Sequence, residues 1–286
     1  MRFLVLGCNG MAGHLISLYL KEQGHDVTGF ARSKSEFVDT ISGDAMDIAL
    51  IRGVIDTGSY DTVINCIGLL NQFAENNKSS AVFLNSYLPH LLADVTANTD
   101  TQVIHMSTDC VFSGTRGQYV EDDLRDGTTF YDRSKALGEI EDGKNLTLRQ
   151  SIVGPDIKAS GIGLLNWFMQ QDGEVQGYTR AMWTGQTTLQ LAKTMEAAAE
   201  AKAHGLYNAV PDTSISKYEL LKLFNQHIRK EKIGIIPEDK IAADKSLKRT
   251  HWDFNYKIPD YETMIIELAA WMRKHKKIYP HYRIKD

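Results

Sequence analysis

The sequence predicts an α/β protein, a doubly wound parallel sheet followed by a smaller α/β unit. Three observations carry that expectation. Short apolar runs alternate with helix-length amphipathic stretches up to about residue 150, the rhythm of parallel strands joined by crossover helices. The first apolar run, Arg2 to Leu6, leads straight into Gly7, Gly10 and Gly13 and then into a helical pattern. Past Gly154-Pro155 the rhythm changes, which divides the chain into residues 1–153 and 154–286, the second part sending segments back to the first sheet.

Each element follows from local chemistry. Three glycines at this spacing permit a tight turn, close backbone approach to a pyrophosphate, and close helix-to-sheet packing. A helix is expected over His14 to Gln23, with Leu15, Leu18 and Tyr19 on one face and Gly24 at its end. Its free N–H groups suit a phosphate. With a strand before and a helix after, the turn reads as a dinucleotide site.

His25 to Phe30 forms the second strand. An NAD site usually ends this strand in an acid. Here Ala31, Arg32 and Ser33 follow, with no acid before Glu36, so a 2′-phosphate and NADPH are favoured over NADH. A short third strand over Val38 to Ser42 leads to Asp44 and Ala45, which suit an adenine edge, although Asp44 can equally cap the helix over Ile48 to Ile55. Asp61 to Gly68 is a fourth strand, Ala81 to Ala97 a long helix containing the polar Asn85, and Val103 to Met106 a fifth strand.

Phe112 to Phe130 is a polar loop at the mouth of a site, offering Tyr119 and Glu121 to a substrate. A helix from Tyr131 to Gly138 and a strand over Asn145 to Arg149 complete the first unit. In the second, helices are expected over Gly161 to Gln171, within Gly185 to Lys202, from Ser216 to Arg229 and over Tyr261 to Lys274, with a strand over Gly205 to Val210.

The chemistry concentrates at Tyr131 and Lys135. Four residues apart on a helix, phenol and ammonium share a face. A nearby cation favours the phenolate, bringing a group that titrates near ~10 closer to neutral pH. Ser107 and Thr108 leave the fifth strand at its carboxyl end, where open α/β sheets bind ligands. The chain has an internal control in Tyr218 and Lys222, which share the spacing but sit in an ordinary amphipathic stretch and read as structural.

Composition excludes several classes. Of 286 residues, 43% are hydrophobic and 24% charged, with 32 basic against 36 acidic for a net charge of -4. No basic block supports nucleic-acid binding, and Lys274, Lys276 and Lys277 read as a solvated helix end. Cys8, Cys66 and Cys110 show no C-x-x-C spacing, which argues for buried thiols in a reducing cytoplasm and against a disulfide framework or a metal site. No apolar run reaches the ~18 residues of a membrane span, and glycines interrupt the N-terminal run too early for a signal peptide.

Taken together, these segments resemble the extended short-chain dehydrogenase/reductases, and within them the dTDP-4-dehydrorhamnose reductase-like branch. The glycine turn, Asn65-Cys66-Ile67-Gly68, Ser107-Thr108-Asp109-Cys110-Val111-Phe112-Ser113-Gly114 and the Tyr131/Lys135 pair occur in that order with similar spacing. The resemblance implies a Rossmann-type domain at 1–153, a mainly substrate-binding domain at 154–286, and NADPH- or NADH-dependent reduction of the 4-keto group of a nucleotide-activated 6-deoxy sugar. Thr108 would bond the substrate oxygen, Tyr131 would protonate it, and Lys135 would bind the nicotinamide ribose and lower the tyrosine pKa. Cofactor contacts are expected from Gly7, Asn9, Gly10, Met11, Gly13, Arg32, Ser33, Asp44, Ala45, Cys66, Ile67, Gly68 and Asn85, besides Tyr131 and Lys135. Substrate contacts are expected from Asp109, Val111, Tyr119, Trp167, Trp183 and Arg249.

Cys110 stands where the branch commonly has tyrosine, and the region around Trp183 and Lys245 to Thr250 matches loosely. Both dTDP-4-dehydrorhamnose and a UDP-linked 4-keto-6-deoxy-N-acetyl sugar therefore stand as expected substrates. A homodimer is the assembly considered. The competing readings are a sugar nucleotide epimerase or dehydratase, and an NADP-binding regulatory subunit resembling that of methionine adenosyltransferase.

Overall fold

A computed structural model describes residues 1–230, 232–282 and 284. The first half alternates β1 (Arg2–Leu6), α1 (Met11–Glu22), β2 (Asp26–Ala31), β3 (Asp39–Ser42), α2 (Ile48–Gly58) and β4 (Thr62–Asn65). It continues through α3 (Asn71–Asn76), α4 (Lys78–Ala81), a π-helical stretch at Val82–Tyr87, α5 (Leu88–Thr96), β5 (Gln102–Met106), α6 (Phe130–Ala136) and β6 (Leu146–Arg149). Then come β7 (Ser151–Val153), α7 (Leu164–Met169), β8 (Glu174–Trp183), β9 (Gly185–Thr187), α8 (Thr188–Glu200), β10 (Gly205–Asn208), β11 (Ile215–Ser216), α9 (Lys217–Phe224), β12 (Gly234–Asp244) and α10 (Tyr261–Lys274).

Among the described residues, seven strands form one parallel sheet in the order β10-β6-β5-β4-β1-β2-β3. The order reverses between β1 and β4, so the carboxyl ends of these strands open a crevice at a topological switch point. This is the Rossmann-type doubly wound sheet that the alternation predicts. The sheet is covered on both faces, and β1 shows it. Phe3 and Val5 pack with Leu15, Ile16 and Leu191 on one side, while Leu4 and Leu6 pack with Ile51, Val54 and Leu92 on the other. All four strand residues are fully buried, each contributing roughly 1.5–3 kcal/mol of hydrophobic stabilisation.

Two glycines set how closely α1 approaches β1. Gly7 has φ +81°, and a Cβ at Gly13 would lie 2.2 Å from the Gly7 carbonyl oxygen, a backbone atom that cannot yield. The helix begins at Met11, three residues earlier than the periodicity suggests, because the Gly10 carbonyl already accepts from His14 N at 3.0 Å.

Other differences have local causes. The helix expected over Ala81 to Ala97 widens into a π stretch at Val82–Tyr87, which turns Asn85 inward to side-chain and backbone partners. The segment before α7 is a loop, so that helix is shorter than expected. Strands β8 and β12 escape the sequence reading. They pair in parallel, with an irregularity between Glu238 and Ala242, and β11 joins β8 antiparallel. Much of β12 is exposed and it contains Pro237, so it lacks the apolar alternation that announces a strand. From the second half of the chain, β10 returns to pair with β6.

Candidate active site

A cavity of about 650 Å³ opens at the carboxyl ends of β1, β4 and β5. The glycine turn (Asn9 to Ala12) forms one wall, Cys66 to Asn71 and Met106 to Cys110 the floor, Tyr131 and Lys135 a second wall, and 156–164 a loop across the opening.

The start of α6 is fixed by a reciprocal cap. Thr129 Oγ1 accepts from Asp132 N at 3.1 Å, and the Asp132 carboxylate accepts from Thr129 N at 3.2 Å. Starting there, the helix turns Tyr131 and Lys135 toward the cavity. Its flank is clamped from behind: Asn85 Nδ2 donates to Ser134 Oγ at 3.0 Å and Ser86 Oγ to the Ser134 carbonyl at 2.7 Å. Asn85 also accepts from Leu69 N and donates to the Leu69 carbonyl, at 2.8 and 2.9 Å. Its amide therefore ties the 68–70 loop to α6 and does not line the cavity, where a cofactor contact was expected.

Electrostatics differ from the expectation at Tyr131. Burial, and then the Cys110 thiol beside it, push the phenol well above its ordinary range, and the Thr108 hydroxyl only partly offsets this. Tyr131 thus holds its proton at neutral pH, and the net shift is opposite to the lowering expected from Lys135. Lys135 is itself pushed down to about 8 by burial, against the opposing charges of Glu139 and Cys66. Its Nζ donates to the Met106 carbonyl at 2.6 Å and lies 3.3 Å from His105 Nε2.

Thr108 Oγ1 accepts from Cys110 N and donates to Asp109 Oδ1, both at 3.1 Å, while Ser151 Oγ donates to the other Asp109 oxygen at 2.7 Å. Burial raises the Asp109 carboxyl despite those bonds and the Lys245 charge. Beneath the floor, Ser107 Oγ donates at 2.5 Å to Glu139, which Arg149 grips through Nε at 2.9 Å and a second nitrogen at 2.7 Å. Burial alone would raise Glu139; Arg149, Ser107 and Arg125 hold it below the usual carboxylate range.

The cofactor side fits a dinucleotide by shape. Gly10, Met11 and Ala12 bring the N-terminus of a 12-residue helix to the cavity, and the Gly7/Gly13 contact seats that helix tightly on the glycine turn, an arrangement suited to a pyrophosphate. Cys66, Ile67 and Gly68 line it as well. Asn9 Nδ2 donates to the Ser33 carbonyl at 2.9 Å, holding the exposed Arg32-Ser33-Lys34 turn beside the glycine turn. Asp44 Oδ1 accepts from Met46 N at 2.9 Å, so its side chain braces its own turn; Ala45 is buried next to it.

Several expected substrate contacts lie elsewhere. Tyr119 is buried, stacked on Phe112 at 4.3 Å, and its hydroxyl accepts from Gly114 N and Thr115 N. Val111 belongs to the same small core. Trp183 is buried against Tyr261, and Trp167 is half exposed on α7 outside the cavity lining. Arg249 pairs with Asp212 at 2.6 Å and covers the Trp252 ring. The Glu121 carboxylate accepts from the backbone N–H groups of Asn208 and Thr250, a structural clasp between distant segments. Ser151, Lys158 and His105, by contrast, were not singled out by sequence. Ser151 opens the short strand β7, Lys158 sits in irregular chain, and His105 reads as one polar residue in an apolar strand.

Fold and site together define a Rossmann-type α/β protein with a Tyr/Lys pair at the switch point. The chain belongs to the family described as the RmlD substrate binding domain, which matches residues 1–253. It is 35% identical over 139 residues to a probable low-salt glycan biosynthesis reductase, Agl14, of Haloferax volcanii, covering 47% of this chain and 46% of that protein. It is 30% identical over 141 residues to a dTDP-4-keto-6-deoxy-D-glucose reductase of Streptomyces niveus, covering 48% and 46%. The matched segment is thus about half the length of these curated relatives. A dTDP-4-dehydrorhamnose reductase of Bacillus anthracis, solved in complex with NADP, superposes with a TM-score of 0.77 at 18% identity over 94% of this chain and 99% of that one, a likeness of fold. Among the described residues, no helix is long and apolar enough to cross a membrane.

Proposed function

We propose that the chain is an NADPH-dependent reductase of the 4-keto group of a nucleotide-activated 6-deoxy sugar, with NADH as the weaker cofactor. The observation that carries this reading is the meeting of Tyr131, Thr108 and Lys135 with the α1 N-terminus in one cavity. The reductase names of the relatives from Haloferax volcanii and Streptomyces niveus support the class.

The nicotinamide, when bound, supplies the hydride. This chain's residues do the rest. Tyr131 and Thr108, whose hydroxyl turns from Asp109 to the substrate, converge on a carbonyl oxygen, and the high phenol pKa keeps Tyr131 charged with its proton until the oxygen becomes basic enough to take it. In its ammonium form Lys135 balances the phenolate left behind and offers hydrogens to a ribose. Leu69, Leu70 and Ile162 supply apolar walls that limit water. Until substrate arrives, Asp109, itself fixed by Ser151, holds the Thr108 hydroxyl. Arg32, Ser33 and Lys34 are the groups available to a 2′-phosphate. In this reading residues 154–286 serve mainly the substrate side, through the loop at 156–164.

The test is NADPH absorbance loss with a panel of dTDP- and UDP-linked 4-keto-6-deoxy sugars, with Tyr131→Phe as the control. Turnover on one series identifies the nucleotide. Product formed without net NADPH consumption indicates an epimerase or dehydratase, and tight NADPH binding without turnover on any sugar indicates a regulatory subunit.

A further inference from the structure

Behind Lys135 lies a buried polar line that the proposed reaction leaves unexplained: Asn65 at the end of β4, His105 in β5, then the lysine nitrogen. Asn65 and His105 are fully buried, and Lys135 is 5% exposed. Hydrogen-bond chemistry fixes the direction of this line. Asn65 Oδ1 accepts from Ile67 N at 3.1 Å, so its other terminal atom is the amide nitrogen, which can only donate. That nitrogen lies 3.2 Å from His105 Nδ1, which must therefore present its lone pair. A neutral imidazole accepting at Nδ1 carries its proton on Nε2. Nε2 faces Lys135 Nζ at 3.3 Å.

We propose that Asn65 and His105 act as a positioning pair for Lys135: Asn65 locks His105 as its Nε2–H tautomer, and that N–H repels the ammonium and donates to the neutral amine. An ammonium has three donors and no acceptor, so in the charged state donor faces donor, and Met106 O is the favourable partner on this side. Once Nζ has released a proton, its lone pair accepts from Nε2–H. The pair thereby makes Lys135 a ready proton source for the phenolate left on Tyr131. Ammonium plus phenolate become amine plus phenol, with no change in net charge. The inference rests on the reading of Lys135 as part of the reductase site.

The groups around Lys135 are few. His105 and Met106 O approach from β5, Cys66 from just past β4 and Glu139 from the turn beyond α6, while Tyr131, one helical turn back, lines the same cavity. Glu139 favours the ammonium but is held by Arg149, Arg125 and Ser107. His105 feels Lys135 and, farther off, His90, and is kept neutral by burial.

The test uses the full chain without substrate or cofactor. Nitrogen-15 NMR of histidine reads the His105 tautomer, and carbon-13 NMR of lysine Cε reads the Lys135 titration, with Lys135→Arg to assign the signal. Wild type is expected to show a protonated Nε2 and a Lys135 midpoint near 8. Asn65→Asp replaces the donor by an acceptor, which draws the imidazole proton to Nδ1 and turns a lone pair toward the ammonium. The midpoint should then rise by about one pH unit or more. A wild-type Nδ1–H tautomer overturns the proposal without any variant. So does a midpoint unmoved by Asn65→Asp, or one that rises while Nε2 stays protonated, which is plain attraction by the new carboxylate. Absence of turnover on every keto sugar bears on the reductase reading alone, because neither readout uses catalysis.

Discussion

His14 Nε2 lies 2.9 Å from the Tyr279 hydroxyl, while His14 Nδ1 lies 2.9 Å from the Gly10 carbonyl. A carbonyl only accepts, so Nδ1 carries the proton and Nε2 accepts from the tyrosine. One buried imidazole thus joins the glycine turn to the C-terminal segment. Burial lowers the His14 pKa from 6.5 to about 4, against the Gly10 and Met11 backbone bonds that favour the cation. Above pH 6.5 both folded and unfolded chains hold a neutral ring, and the contribution is fully present. As pH falls toward 4 the unfolded chain binds the proton first, so stability is lost, by on the order of 3 kcal/mol in all. Urea melts at pH 7.5 and 5 measure this, and His14→Asn is expected to be less stable but to lack that part of the slope.

Tyr131→Phe removes the proposed proton donor and little else, since the ring packs among Ala74 and Ala81. Turnover should fall by roughly 10²–10⁴-fold with NADPH affinity nearly unchanged. Fluorescence titration of the cofactor beside steady-state rates separates the two. Persistent turnover would remove Tyr131 from that role.

Arg32→Ala is expected to weaken NADPH about tenfold and NADH little, because only the former offers a phosphate to a guanidinium. Equal losses for both would place the phosphate elsewhere, with the adjoining Lys34 the next residue to replace.

How much was legible depended on whether the signal was local. The strand, glycine turn and helix at Gly7 to Gly13 are local, as are the Tyr131/Lys135 spacing and the apolar run of β5. The fold and the cavity's principal walls could therefore be read. The substrate side could not. Tyr119, Trp183 and Arg249 looked available in sequence, but partners scattered along the chain in no pattern decide their use, as Trp183 against Tyr261 shows. Asn85 and His105 are polar residues in apolar stretches, and only the packed structure reveals which partners satisfy them. Tyr218 is the useful contrast. It shares the Tyr131 spacing, yet its ring packs where a Cβ at Gly177 would stand, 2.7 Å from Tyr218 Cδ2, and Lys222 lies over its face at 5.2 Å. Tyr218→Phe should leave the rate per folded molecule unchanged, and a large loss would mean that the wrong pair was assigned to catalysis.

Glu139 offers the last test, of stability transmitted to the site. Its carboxylate takes two bonds from Arg149, which is fully buried, and one from Ser107, the residue before Thr108. Among the described residues, Glu139→Ala leaves the Arg149 guanidinium in the interior with the Glu121 and Asn208 oxygens as its remaining hydrogen-bond acceptors, over the Phe112 ring. An uncompensated buried charge typically costs about 3–5 kcal/mol. Denaturant melts should show that loss. Glu139→Gln keeps the acceptor oxygen for one arginine bond and should lose less. Ser107 loses its anchor in Glu139→Ala, whereas the Gln amide oxygen at the Oε1 position still accepts from it, so turnover should fall in the folded fraction of the alanine variant and less in that of the glutamine variant. A Glu139→Ala variant as stable as wild type would show that Arg149 finds solvent or another partner, and that the network carries little of the site's rigidity.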